Sequence, residues 1–137
     1  MKAALFCIGR YLGAFNGAIW PVPGEGYDAE LAERSMNATL DQFRLADEVG
    51  FDWVTVAEHH HSPASLTPNP MVMAGALTQV VKRAKIALLG ATIPILNPVR
   101  VAEEFAMLDT MTGGRVVAGM LRGTANEYVT YNFNPAE

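Results

Sequence analysis

Three histidines follow a glutamate in one run, from Glu58 to His61, and the chain has no others. Histidine titrates near neutral pH, so it can exchange a proton or bind a metal ion. In an extended segment, side chains alternate, which puts His59 and His61 on one side and Glu58 and His60 on the other. Adjacent histidines converge poorly on one metal and no H-E-x-x-H motif occurs, so acid–base chemistry or cofactor contact is favoured over metal binding. Helix capping or loop packing is the alternative.

A second candidate lies in the apolar stretch around Leu89 and Gly90. A glycine inside an otherwise solid apolar strand predicts a bulge or the close approach of another group to the backbone. A planar ring could lie on such a surface. Simple termination of the strand explains the pattern equally well.

The third candidate is Arg122, which lies within the run Gly119-Met-Leu-Arg-Gly123. A guanidinium at the end of a strand, flanked by glycines, is suited to bidentate binding of a phosphate. The alternative is an ion pair between this arginine and a neighbouring carboxylate.

The elements that would position these groups alternate between strand and helix. Residues 3–8, 53–57, part of 84–95 and 115–120 are predicted strands from their apolar and β-branched content. Helices are predicted from 28 to 49, from Asn69-Pro70 to Lys82-Arg83, and from Asn97-Pro98 to Gly113. The loop 9–27 is long and rich in aromatic residues, and no further complete element is expected after Gly123.

Strands joined by such helices must be parallel, and functional groups then collect at their carboxyl ends. An open doubly wound sheet and a (β/α)8 barrel both fit this order. The first strand is not followed by G-x-G-x-x-G, which weakens the open-sheet alternative. A barrel takes about 250 residues, so 137 residues would supply roughly half of one.

Composition narrows the possible partners. The net charge of −4 gives no basic surface, so neither nucleic acid nor an anionic membrane is expected to bind. The one cysteine, Cys7, cannot form an internal disulfide, which fits a cytoplasmic protein. The short apolar start predicts a strand rather than a signal peptide, and no apolar stretch is long enough for a membrane helix.

Taken together, the motifs resemble those of the luciferase-like flavin-dependent monooxygenases, in the family's order and over residues 1 to about 132. The segments that carry the resemblance are Gly50–Val54, Ala57–His60, Asn69-Pro70, Pro94, Asn97–Arg100, Leu108–Arg115 and Gly119–Gly123.

The resemblance implies a TIM-like (β/α)8 barrel, of which residues 1–137 would be the N-terminal part, with about four strands and three helices. It implies a flavoprotein that uses reduced FMN and O2 to oxygenate a small organic substrate. Some relatives use the deazaflavin F420 instead, although the Glu58-His59-His60 series is closer to the FMN branch. A homo-oligomer, usually a dimer, and a separate flavin reductase are the implied partners.

The resemblance also implies roles for individual residues. His59, with His60 beside it, falls on the catalytic histidine that follows the strand-two glutamate, Glu58. Leu89-Gly90 falls where the family often has a non-prolyl cis peptide beneath the flavin ring, and Arg122 falls on the arginine that holds the FMN phosphate. Glu58, Leu89, Gly90 and Arg122 are therefore the expected cofactor-binding residues, and no metal ligand is expected. His61 departs from the family pattern, in which this position is often aromatic.

Two other classes of function remain open from the residues alone. A metal-dependent hydrolase on a barrel would use the histidine run, and metal analysis of the purified protein would detect it. A non-catalytic half-barrel would expose open strand edges and an apolar face, which favour self-association. Measuring the size of the purified chain would test that alternative.

Overall fold

The computed structural model describes residues 1–134 and 136, and it contains four strands and four helices in the order expected from the sequence up to the fourth strand. The elements are β1 (Ala4–Phe6), α1 (Ala29–Glu48), β2 (Trp53–Val56), α2 (Pro70–Val80), β3 (Lys85–Thr92), a 3-10 turn (Ile93–Ile95), α3 (Pro98–Thr112), β4 (Val116–Leu121) and α4 (Ala125–Thr130).

The four strands form one parallel sheet in the order β1-β2-β3-β4, with each strand paired to the next along the chain. Helices α1, α2 and α3 contribute Phe43, Leu77 and Leu108 to one core on the sheet face that carries Val54 and Ile86. Because the strand order does not reverse and these helices share a face, the described residues form part of a TIM-type barrel. The open doubly wound alternative would need a reversal of strand order.

Alternate strand residues lie on the sheet face that turns away from the helices. Phe6 and Leu89 belong to this face, and both side chains are exposed. Their neighbours in sequence, Leu5 and Leu88, pack on the helical side. The period-two alternation of a strand therefore places these two exposed apolar side chains on the sheet face opposite the helices.

The helix starts follow from local sequence signals. The Asn69 side chain accepts hydrogen bonds from the backbone N–H groups of Met71 and Val72, and a proline occupies the first position of α2. Asn97 does the same for the first turn of α3. In both helices an asparagine cap satisfies donors that have no partner inside the helix, as the sequence predicted.

The end of α2 differs from the prediction, because the helix stops at Val80 and does not include Lys82 and Arg83. Val81 is extended and fully buried in the core. The Arg83 guanidinium instead donates to the carbonyl oxygens of Asp47 and Glu48, at the end of α1. The cation therefore caps the preceding helix, where it donates to two carbonyl groups of the last turn.

Asp47 ties the end of α1 to the start of β3. Its carboxylate accepts backbone hydrogen bonds from Lys82, Arg83 and Ala84 at 2.9, 3.0 and 2.6 Å. Burial raises the pKa of Asp47, but these N–H donors and the Arg83 charge outweigh it and hold the pKa below its ordinary value. The ionised side chain thus fixes the chain reversal between two elements of the core.

The expectation of no further element after Gly123 is wrong, since α4 follows β4 after three residues. Glu127 accepts hydrogen bonds from the backbone N–H and the hydroxyl of Thr124, at 2.7 and 2.6 Å. This Thr-x-x-Glu spacing is a capping box, a signal that the sequence contains and that identifies a helix start.

Two glycines, Gly90 and Gly119, lie where β3 and β4 leave no room for a side chain. A Cβ on Gly119 would overlap the Leu88 carbonyl oxygen, and a Cβ on Gly90 would lie 2.8 Å from Cγ of Leu121. The strand register shifts between Leu88 and Ala91 while β3 continues to Thr92, so the glycine marks a bulge or irregularity within the strand and not its end. The group that approaches Gly90 is thus the neighbouring strand. Across residues 1–134, no helix has the length and apolar character to cross a membrane.

Candidate active site at the carboxyl edge of the sheet

The three sequence candidates lie at the same edge of the sheet. The histidine run follows β2, Leu89 and Gly90 belong to the last half of β3, and Arg122 directly follows β4. Because the strands are parallel, all of their carboxyl ends meet at this edge. The fold therefore gathers groups from three strands that are up to 64 residues apart in sequence, between Glu58 and Arg122.

The side chains of the histidine run alternate as predicted. Glu58 and His60 are buried, whereas His59 and His61 are exposed. His61 has a positive φ of 53° and its ring lies edge-on to Trp20, with 5.8 Å between ring centroids. The run thus presents two imidazoles to the outside and holds the third inside.

The Glu58 carboxylate is engaged through both of its oxygens. Oε1 lies 3.0 Å from Nε2 of His60, and Oε2 accepts the backbone N–H of Thr92 at 3.0 Å. The two side chains are 4% and 6% exposed, so they form a buried acid–imidazole pair. Since Thr92 ends β3, this pair joins the carboxyl end of β2 to that of β3.

His60 is enclosed by groups from two further segments. Its carbonyl oxygen accepts the indole N–H of Trp20 at 3.1 Å, and its ring meets the edge of the Tyr131 ring at 5.2 Å. Glu127 is also buried nearby. Burial raises the pKa of Glu127, but hydrogen bonds from Thr124 and the charge of His60 outweigh it and lower the pKa. His60 is thus paired with the Glu58 carboxylate and is near enough to Glu127 for its charge to act on that carboxyl group.

His59 and His61 line a cavity of about 360 Å³ between the loop after β1 and the loop after β2. The aromatic residues of the first loop, Tyr11, Phe15 and Tyr27, form much of its wall. His59 also lines a second cavity of about 310 Å³ on its other side, together with Trp20 and His60. His59 is therefore the histidine that reaches both spaces above the sheet edge.

A pair of buried hydroxyl groups fixes the loop that carries His59, and sequence reasoning missed it. Ser65 Oγ donates to the carbonyl oxygen of Ile8 at 2.6 Å, and Thr67 Oγ1 donates to that of Ala57 at 2.9 Å. The two hydroxyl oxygens are 2.7 Å apart. The carbonyl of Thr67 then accepts the backbone N–H of His59 at 3.3 Å. The hydroxyls thus join the ends of β1 and β2 beneath His59.

We expect Thr67→Val to lower the free energy of unfolding by about 1–2 kcal/mol, because valine keeps the shape but leaves a buried carbonyl without its donor. Urea unfolding followed by circular dichroism measures this loss. The matched control is Thr110→Val on the exposed side of α3, which should change stability by less than about 0.5 kcal/mol. Equal losses in both variants would show that the Thr67 hydroxyl contributes nothing specific.

The second candidate, Leu89-Gly90, has the non-prolyl cis peptide bond that the resemblance implied. Leu89 is 44% exposed, between the buried residues Leu88 and Gly90. An apolar side chain is thus presented on the open face of the sheet, close to the end of β3. The structure explains Gly90 by its packing against β4, and a contact between Gly90 and a cofactor stays a prediction.

The third candidate, Arg122, is exposed just beyond β4. Its carbonyl oxygen accepts the Tyr128 hydroxyl at 2.9 Å, which fixes the backbone. Among residues 1–134 and 136, no carboxylate lies within ion-pair distance of its guanidinium, in contrast to the alternative left open by the sequence. The N–H groups of this guanidinium are therefore directed to solvent at the carboxyl end of β4.

Across residues 1–134 and 136, no group of three or more His, Cys, Asp or Glu residues is arranged to hold a metal ion. Instead, His60 pairs with Glu58, and His59 and His61 face a cavity with aromatic walls.

Comparison with known proteins identifies the family to which the sequence is similar. The sequence model of a family described as luciferase-like monooxygenase matches residues 18–133. The alkanal monooxygenase alpha chain of Photorhabdus luminescens is 37% identical over 84 residues, which cover 61% of this chain and 23% of that protein. The alpha chain of Aliivibrio fischeri is 39% identical over 101 residues, covering 74% of this chain and 27% of that protein. The chain thus matches about a quarter of the length of these relatives.

Solved structures show the same fold. The oxygenating constituent of 3,6-diketocamphane monooxygenase from Pseudomonas putida, solved in complex with FMN, superposes with a TM-score of 0.77 at 21% identity over all of this chain and 34% of that one. Monooxygenase RslO1 from Streptomyces bottropensis gives a TM-score of 0.76 at 25% identity, over 98% of this chain and 37% of that one. From its sequence and its fold, the chain belongs to the luciferase-like monooxygenase family.

Proposed function

We propose that the chain forms part of a flavin-dependent monooxygenase that uses reduced FMN and O2 to oxygenate a small organic substrate. The observation that carries the proposal is the exposure of His59 and Arg122 at one carboxyl edge of the sheet, beside the exposed Leu89. A proton-transferring group, a phosphate-binding group and an apolar surface are the three functions that such a site needs.

The residues at this edge fit FMN by their chemistry. Arg122 offers a guanidinium whose planar set of donors matches a phosphate. Leu89 offers an apolar surface suited to a flat ring, and the bulge at Gly90 lets β3 and β4 close up beneath it. When bound, the reduced flavin would supply the electrons for activation of O2.

The chain's own residues would then bind, orient and transfer a proton. Arg122 would hold the phosphate and Leu89 would support the ring. His59 would give or take the proton at its imidazole, because its side chain is exposed to both cavities. His60 and Glu58 would hold the ends of β2 and β3 in place, since each is buried and engaged with the other.

We expect Arg122→Ala to weaken FMN binding by about 1.5–3 kcal/mol, which is the size of a lost hydrogen bond to a charged group. Quenching of flavin fluorescence, titrated with the full-length protein encoded by the gene, measures the dissociation constant. Arg44→Ala is the matched control, because Arg44 is an exposed arginine near the other end of the sheet, on the last half of α1. Unchanged affinity in Arg122→Ala would remove this residue from the phosphate site.

The same titration distinguishes the two flavin cofactors. Full-length protein titrated in parallel with FMN and with the deazaflavin F420 should bind FMN more tightly. Turnover with reduced FMN, O2 and a candidate substrate then tests oxygenation, with a separate flavin reductase supplying the reduced cofactor. Tight binding of F420 alone would replace FMN in the proposal, and binding of neither would refute a flavin enzyme.

A further inference from the structure

The cavity beside His59 and His61 has a composition that selects among ligands. Its volume is about 360 Å³, which is within the range of small-molecule sites. The two exposed imidazoles line one side, and apolar and aromatic residues of the loop after β1 line the other. The cavity therefore combines an apolar wall with hydrogen-bonding groups at one side.

The aromatic wall is fixed in place. The rings of Tyr11 and Tyr27 are stacked, with 5.7 Å between centroids and 21° between planes. Tyr11 is buried, and its hydroxyl accepts the backbone N–H of Asp28 at 3.0 Å, next to the start of α1. Tyr27 is 57% exposed and lies against this anchored ring. A rigid aromatic surface of this kind favours flat, apolar ring systems.

The charged residues of the cavity lining disfavour the binding of anionic ligands. None of the residues around this cavity is a lysine or an arginine, and Glu25 contributes a carboxylate. A negatively charged ligand would therefore meet the repulsion of the Glu25 carboxylate, with no lysine or arginine in the lining to offset it. The imidazoles of His59 and His61 can hydrogen bond to a neutral hydroxyl or carbonyl group of a ligand.

We propose that this cavity binds an uncharged, flat, ring-containing compound, stacked on the Tyr27 ring, which the buried Tyr11 supports, with its polar group directed to His59 and His61. The inference that such a compound is the substrate rests on the proposed function. The inference that such a compound binds in this cavity rests only on the residues of the cavity lining. Glu25 is the residue that disfavours carboxylated analogues, and Tyr27 is the exposed part of the ring platform.

Equilibrium dialysis of the full-length protein with 2-naphthol and 2-naphthoate tests the proposal, because the two probes share a ring system and differ in charge. We expect saturable binding of 2-naphthol, with 2-naphthoate about tenfold weaker. Glu25→Gln should narrow this difference. Equal binding of the two probes, or no saturable binding of 2-naphthol, would overturn the proposal.

Variants of the wall locate the site. Tyr27→Ala should weaken 2-naphthol binding about tenfold, whereas Tyr27→Phe keeps the ring and should restore most of the affinity. Phe133→Ala removes an aromatic ring that packs against Tyr128, outside this cavity, and should leave binding unchanged. Equal affinity in Tyr27→Ala and the unmodified protein would place the probe elsewhere and refute this site.

The absorbance of bound flavin is measured in the same samples, so that failure of the flavin-enzyme proposal can be distinguished from failure of the ring-site proposal. Binding of 2-naphthol without any binding of FMN would support the ring site and refute the flavin enzyme. Binding of FMN with no binding of 2-naphthol would leave the flavin proposal standing and refute the ring site.

Discussion

Replacing His59 with alanine in the full-length protein is expected to slow substrate oxygenation by about 10²- to 10⁴-fold, the usual contribution of a positioned general acid or base. FMN affinity should stay unchanged, since the phosphate and ring contacts are assigned to Arg122 and Leu89. His59 is the candidate because it is exposed to both cavities, whereas His60 is buried against Glu58. The measurement is turnover with reduced FMN, beside a separate FMN titration.

His61→Ala is the matched control for this variant. It removes an imidazole from the same cavity, two residues along the same loop, and should cost less than about tenfold in rate if His59 transfers the proton. Added imidazole should partly restore the rate of His59→Ala. If His61→Ala shows the larger loss, the proton-transferring role moves to His61. If neither variant changes turnover, no histidine of this cavity takes part.

Asp47→Ala is expected to lower the free energy of unfolding by about 3 kcal/mol, because three backbone N–H groups, one of them buried and two partly buried, lose their acceptor. Asp47→Asn keeps one carbonyl oxygen and should cost less. Asp41→Ala removes an exposed carboxylate from the same helix and should change stability by less than about 0.5 kcal/mol. Urea unfolding of the three variants measures these differences.

The same carboxylate gives the stability a defined dependence on pH. Its pKa in the folded chain is lowered from an ordinary value of 3.8, so its contribution is complete above that value and is lost as pH falls through the lower folded pKa. The gap in stability between the unmodified protein and Asp47→Asn should be constant at neutral pH and narrow below about pH 4. A gap that persists unchanged into strong acid would show that the charge of Asp47 is not involved.

Local signals were sufficient for most of the fold. The Asn-Pro pairs at 69–70 and 97–98 mark helix starts because the capping side chain and the ring of proline act within one turn. The alternation of the histidine run was also predictable, since an extended backbone sends neighbouring side chains to opposite sides. These features depend on residues close in sequence, which is why a sequence pattern predicts them.

Features that depend on tertiary contacts could not be predicted from the sequence. The end of α2 depends on Val81, which is buried in the core. It also depends on the backbone N–H groups of Lys82 and Arg83, which donate to the carboxylate of Asp47, 35 and 36 residues earlier in the sequence. No local pattern shows that pairing. For the same reason the sequence predicted that the second helix would run to Arg83, whereas this arginine lies beyond the helix and caps α1.

In the candidate site, too, some features follow from the sequence and others depend on tertiary contacts. Strand order alone predicted that the histidine run, Leu89 and Arg122 would meet at one edge. The partner of Glu58 at Thr92 and the hydroxyl pair Ser65–Thr67 could not be predicted, because serine and threonine in a loop are most often solvated. Helix α4 is different, since its Thr-x-x-Glu capping box is a local signal that the sequence itself contains.

The contrast between the two glycines of the sheet and the loop around the cavity has a consequence for protein engineering. A side chain added at Gly90 or at Gly119 collides with the adjoining strand, so neither position tolerates substitution. Tyr27 and Glu25, by contrast, are exposed and anchor no strand. A mutant library intended to change ligand preference should therefore randomise the loop and leave the two glycines fixed.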